Sequence, residues 1–180
     1  MTAVATKVPA GTYRADAVHS TTGFAVKHML VSTFRGGFDE VDATLTVSDD
    51  GESRLVGTVP VRSLSVKQED LLAHLHSEEF FDTERHPELR FESTSFGIEG
   101  DEVIVEGDLT VKGITQRVTA RGGITEATPD AFGGTRVGLL LETVVDRTKF
   151  DLLWNAPLPK GGMALANDVT LTVELELVQQ

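Results

Sequence analysis

The sequence predicts an all-β fold of about eight antiparallel strands in one domain, residues 1–180, with one short inserted helix. Three observations predict it. Apolar residues recur with period two along most of the chain. Clusters of Gly, Pro and Asp interrupt them at intervals of one strand length. Helical spacing occurs in a single place.

In chain order, the first candidate strands are 12–18 and 22–30. In the second, Phe24, Val26, His28 and Leu30 share one face and Lys27 takes the other. Gly36-Gly37 reads as a reversal, followed by "DATLTV" (42–47), with Ala43, Leu45 and Val47 on one side. After the turn "SDDGES" comes a candidate at 54–62. In "KQEDLLAHLHSEEFFDTERHP" (67–87), Leu71, Leu72, Leu75 and Phe80 recur at helical spacing. Gln68, Glu69 and Asp70 suit a first helical turn, and Pro87 ends any helix before the next strand. Strands then follow at 88–96, in "EVIVEGDLTV" (102–111), at 115–121, in "RVGLLLETVV" (136–145) and in "DVTLTVELELV" (168–178). The last is the cleanest: Val169, Leu171, Val173, Leu175 and Leu177 alternate with Thr and Glu. Nothing has the length of a parallel-sheet crossover. One apolar face per strand fits a sandwich or a closed barrel, and periodicity does not separate the two. Residues 1–10 read as a flexible lead.

Composition narrows the function. With 16 basic and 28 acidic residues the chain carries −12, a field that repels nucleic acid. It has no cysteine, hence no disulfide, thiolate nucleophile or Cys-ligated metal. No apolar run is long enough to span a membrane as a helix, so no stable insertion is expected. The opening "MTAVATKVPAGTY" lacks a secretory apolar run, and the expected placement is cytoplasmic.

No nucleophile elbow, phosphate-binding loop or HExxH occurs. His19 and Ser20 are sequence neighbours that diverge on a strand, which suits hydrogen bonding better than proton transfer. His74 and His76 are two apart on a helix and do not converge on a metal. His28 on an apolar face reads as a core histidine or a polar anchor for a ligand. Trp154 precedes a proline-containing loop and could plug a cavity mouth. Arg147 suits either an internal carboxylate or an anionic head group. No catalytic residue, metal or cofactor is expected; the alternatives to a binding role are a small hydrolase or isomerase using His19, His28 or Arg147 at a barrel mouth and a ligand-free, stress-related structural protein with a filled core.

Several ordered segments together carry a resemblance: "YRADAVHSTTGFAVKHMLVSTFRGGFDEVDATL" (13–45), "HLHSEEFFDTERHPELRFEST" (74–94), "VEGDLTVKGITQRVTA" (105–120) and "ANDVTLTVELEL" (166–177). The chain resembles the YceI-like family of lipid-binding proteins over nearly its full length. The resemblance implies an extended lipocalin-like antiparallel barrel with an apolar lumen and no catalytic step. It implies a long-chain isoprenoid, a quinone or another amphiphilic lipid as partner, and a homodimer is compatible with it. The residues then expected along the lumen or its mouth are Phe24, Val26, His28, Phe38, Leu45, Val105, Leu109, Leu139, Leu141, Arg147, Phe150 and Trp154. Where the family tends to show Arg-x-x-Phe-Gly, this chain has "RTKFD", with Asp151 in the glycine's place.

Overall fold

The computed structural model describes residues 7–180. Its elements are β1 (Gly11–Ala15), β2 (Thr21–His28), β3 (Ser32–Phe38), β4 (Asp42–Val47), β5 (Ser53–Pro60), β6 (Leu64–Ser65), α1 (Glu69–His76), β7 (Glu88–Glu99), β8 (Glu102–Val111), β9 (Ile114–Ile124), β10 (Thr128–Pro129), β11 (Thr135–Asp146) and β12 (Leu165–Gln179). Strands β11, β9, β8, β7, β5, β4, β1 and β12 pair in that order, and β12 pairs back onto β11. The result is a closed antiparallel barrel of eight strands. Closure removes the free edges that an open sheet would expose, which decides between the sandwich and the barrel.

β1 and β2 lie end to end along one edge of β12, Ala15 opposite Leu177 and Thr21 opposite Glu174. Between them Asp16–Ser20 bulge outward, held by the Asp16 N–H on the Glu176 carbonyl at 2.8 Å. The 3-10 turn Val61–Ser63, β6 and α1 gather at one end of the barrel, with the β2–β3 turn and the 147–164 connection. We call this the helix end. The β4–β5 and β7–β8 turns and the β9–β11 connection form the opposite end.

Three expectations are corrected. Gly36 and Gly37 are not a reversal but extended residues within β3, paired with Phe24 and Gly23. The ring of Phe24 lies across Gly36, its Cε1 2.9 Å from where a Cβ would stand. Only glycine leaves room for that cross-strand ring. The second strand stops at His28: Met29 and Leu30 make the turn at φ 53° and 63°, and Leu30 is exposed rather than on the inward face. Of the expected flexible lead, residues 1–6 lie outside the described residues, whereas Val8 is buried and Tyr13 donates to the Pro9 carbonyl at 2.8 Å.

The interior is built in two layers. In one, Tyr13, Leu45, Val103, Val105, Val137, Leu139, Leu175 and Leu177 pack with almost no exposure. At the helix end, Leu64, Leu75 and Phe80 pack with Phe24, Phe38, Phe81 and Trp154. Amphipathic α1 directs Leu75 into that second layer.

Candidate functional site

Between the two layers lies a cavity of about 160 Å³. Its position follows from shared residues: Ala43, Leu55, Ala120, Leu141 and Leu175 belong to the first layer and line it, while Phe38 packs in the second and lines it too. Gly57, Val59, Leu89, Phe91, Leu109 and Leu171 complete most of the wall. Room exists because inward positions on β4, β5 and β9 carry Ala43, Gly57 and Ala120 where larger side chains would meet.

The wall is almost wholly apolar. One exception is Thr22, which sits opposite Phe38 on β3 and Val173 on β12, both lining residues. Its Oγ1 is the one buried side-chain polar atom among the described residues that has no hydrogen-bond partner. Leaving such a hydroxyl unpaired costs about 1–3 kcal/mol. The sequence reading missed Thr22, since a threonine on an alternating strand carries no mark of its unmet hydrogen bond.

Of the twelve residues expected around the lumen, Phe38, Leu109 and Leu141 line the cavity. Leu45, Val105 and Leu139 lie deeper, in the packed floor. Phe24 and Trp154 belong to the aromatic layer at the helix end. There the Phe24, Phe38 and Phe81 rings follow one another at 6.0 and 5.9 Å, and Trp154 meets His74 edge to face at 5.1 Å and the tilted ring of Phe80 at 5.6 Å. Val26 and Phe150 are buried outside the cavity wall, and His28 is half-buried at the end of β2, opposite Leu165 and Ser32.

Arg147 takes neither partner foreseen for it. Its buried guanidinium donates to three backbone carbonyls, Ala166 at 2.8 Å, Leu152 at 2.6 Å and Trp154 at 2.9 Å. Burial lowers its pKa, against the pull of neighbouring Asp146. The residue therefore ties the 147–154 turn, and with it Trp154, to the start of β12. Asp151 closes that turn in the left-handed region at φ 60°. This explains the glycine of the family pattern, and Asp is among the few other residues that tolerate the position.

The remaining polar clusters lie outside the lumen. His74 Nε2 pairs with Glu79 at 2.5 Å and His76 Nδ1 with Thr83 Oγ1 at 2.6 Å. Ser20 Oγ accepts from the Glu176 N–H at 3.0 Å, as hydrogen-bonding residues of this kind should. Asp16, His19 and Glu176 converge closely enough to hold a cation. That place is taken by Arg136, whose Nη1 reaches Asp16 at 2.9 Å and Glu176 at 2.6 Å while Nε reaches Asp130 at 2.8 Å. The guanidinium depresses the Asp16 and Asp130 pKa values, for Asp16 behind the larger effect of the His19 hydrogen bond, and Asp16 raises that of His19.

A UPF0312 protein of Staphylococcus aureus is 30% identical over 164 residues, covering 89% of this chain and 94% of its own length. BcnA of Burkholderia cenocepacia has a similar structure, with TM-score 0.76 at 18% identity over 92% of this chain and 99% of its own. A polyisoprenoid binding domain from Saccharophagus degradans, implicated in plant cell wall breakdown, matches with TM-score 0.67 at 13% identity over 93% and 98%. These structural likenesses concern the fold. The YceI-like domain model matches residues 13–177, essentially the whole barrel, and the chain belongs to the YceI-like family.

Proposed function

We propose that the barrel binds the apolar chain of a long amphiphile, of isoprenoid or quinone type, and stores or shuttles it without chemical change. The observation that carries this reading is the apolar cavity inside the barrel, with Thr22, whose hydroxyl has no partner, among its lining residues. Family membership and the polyisoprenoid binding named for the Saccharophagus domain support it. The residues proposed for contact are Phe38, Leu109 and Leu141 in the wall, with Thr22 as the polar anchor. Phe24 and Trp154 form the layer that a longer chain meets.

Magnitudes shape the mechanism. Each buried methylene contributes about 0.8 kcal/mol, so a five-carbon prenyl unit gains about 4 kcal/mol on leaving water. The cavity of about 160 Å³ is close to the ~150 Å³ engineered cavity that takes one benzene. It accommodates a ring or one such unit. A longer chain must displace the aromatic layer at the helix end, where Phe24, Phe38, Phe81 and Trp154 occupy the continuation of the lumen. Cytoplasmic carriage, by a monomer or a homodimer, completes the reading.

The test fills the space. Ala43→Leu with Ala120→Leu places larger side chains into the cavity from the edge of the first layer, where both residues border the open space. The folded double variant should lose uptake of polyprenyl chains and quinones. Undiminished uptake by the folded variant contradicts the reading.

A further inference from the structure

The β2–β3 turn is built against the usual rules. Hairpin turns that need φ > 0 at both central residues normally use Asn-Gly, yet here Met29 and Leu30 hold φ 53° and 63°. Strain of this kind persists where the surrounding structure imposes it and clusters at functional places. The Met29 N–H is fixed to the Ala164 carbonyl at 2.7 Å, and Leu30 Cδ1 lies 3.1 Å from where a Cβ on Gly162 would stand. The turn therefore leans on the 157–164 connection and presents Leu30 (62% exposed), Val31 (80%) and Met163 (52%) to the outside.

Charge marks the same place. Ten of the 16 Lys and Arg residues reach a carboxylate. The remaining six are Lys27, Arg35, Lys67, Arg147, Lys149 and Lys160, on segments that converge at the helix end; of these only Arg147 is buried. Lys27 and Arg35 flank the turn on β2 and β3, and Lys160 lies in the connection that supports Leu30. From Ala17 to Phe38 and again from Leu152 to Asn167 the chain has no acidic residue, so the turn and the connection it leans on carry cations alone; the acids of this end lie on other segments, among them Glu40 beside the Val61–Ser63 turn, Glu69 and Asp70 on α1, Glu78 and Glu79 after it, and Asp146 and Asp151 around the 147–150 turn. The opposite end also exposes apolar side chains, Val18 and Phe132, but among Asp16, Asp49, Asp50, Asp101 and Asp130. An anionic surface accepts the acid-free turn and its supporting connection and repels the opposite end.

We propose that the Met29–Leu30–Val31 turn, with Met163 and the free cations Lys27, Arg35 and Lys160, docks the barrel on an anionic lipid bilayer. Shallow insertion of a few apolar side chains ringed by cations is the chemistry of reversible interfacial binding. A second copy of the chain is the poorer occupant, because so small a tip falls well short of the roughly 1,200–2,000 Å² that a stable dimer buries. Docking brings the aromatic end, rather than the opposite end, against the lipid. It goes beyond the ligand reading and is separable from it: the Ala43→Leu/Ala120→Leu variant should dock as wild type does.

The experiment is flotation with vesicles of phosphatidylcholine, alone and mixed with phosphatidylglycerol. Wild type should float with the mixed vesicles and much less with the neutral ones. Leu30→Asp with Val31→Asp should reduce the bound fraction about tenfold or more, since each 1.4 kcal/mol of lost burial is tenfold. Met29→Asn with Leu30→Gly should fold more stably, its turn relieved, and still float less. Lys27→Glu with Lys160→Glu should abolish the preference for phosphatidylglycerol, and Phe132→Ser at the opposite end should change nothing. The proposal is overturned if wild type floats with neither vesicle, if Leu30→Asp/Val31→Asp floats unchanged, or if wild type is a dimer that these substitutions split.

Discussion

Gly36 shows how one residue can mean two things. A Gly-Gly pair in sequence signals reversal, because turns need the conformations glycine allows. Here the pair is extended, and what glycine provides is space for the ring of Phe24 from the neighbouring strand. Nothing local encodes that, since the ring arrives from twelve residues earlier in the chain. Gly36→Ala should therefore destabilise the fold by about 1–3 kcal/mol, the usual cost of overpacking, in a urea titration. A neutral result would mean that the ring moves aside freely and that the aromatic layer is loosely held. Arg147 was similarly opaque. Its type suggested a carboxylate or a head group, whereas three backbone carbonyls hold it.

At the level of elements, alternation located most of the barrel strands, because a wall with one dry face must alternate. It failed at β3, "STFRGGF", where glycines stand at inward and outward positions alike and leave little contrast to read. The helix was legible from Leu71, Leu72 and Leu75, and the structure gives it eight residues. Its role was not legible. It packs Leu75 with Phe80 and Trp154 over the end of the lumen, a contact between segments almost eighty residues apart. Trp154 is the only tryptophan, so its emission reports on this layer alone. On addition of a polyprenyl chain longer than the cavity, the emission maximum should shift as Trp154 leaves His74 and Phe80. Binding with an unchanged spectrum would show that long chains enter by another route.

For the whole molecule, charge governs stability as well as docking. Arg136 fastens β11 to β12, to the β1–β2 bulge through Asp16 and to the β10–β11 turn through Asp130. Asp16 and Asp130 have folded pKa values below their unfolded ones, so their contribution is present above the unfolded value near 3.9 and is lost as pH falls further. His19 has the opposite sign: its folded pKa is raised, and its smaller contribution is lost as pH rises through it. Thermal melting should thus show stability falling below about pH 4 and declining slightly as pH rises past the ordinary histidine value. Replacing Arg136 with Met should flatten the acid limb; an unchanged limb would place the sensitive carboxylates elsewhere.

The candidate site was the least legible at this scale. Period two tells which side chains point inward but not how deep along the barrel axis they lie. Hence Leu45, Val105 and Leu139, inward on every count, turned out to be floor, while Thr22 and the small Ala43, Gly57 and Ala120 shape the space.

The most direct test of lipid carriage is native followed by denaturing mass spectrometry on freshly purified protein, wild type beside Ala43→Leu/Ala120→Leu. A stoichiometric species of prenyl or quinone mass should accompany wild type and be missing from the filled variant. A wild-type protein that arrives empty and takes up neither polyprenyl phosphate nor quinone would contradict it.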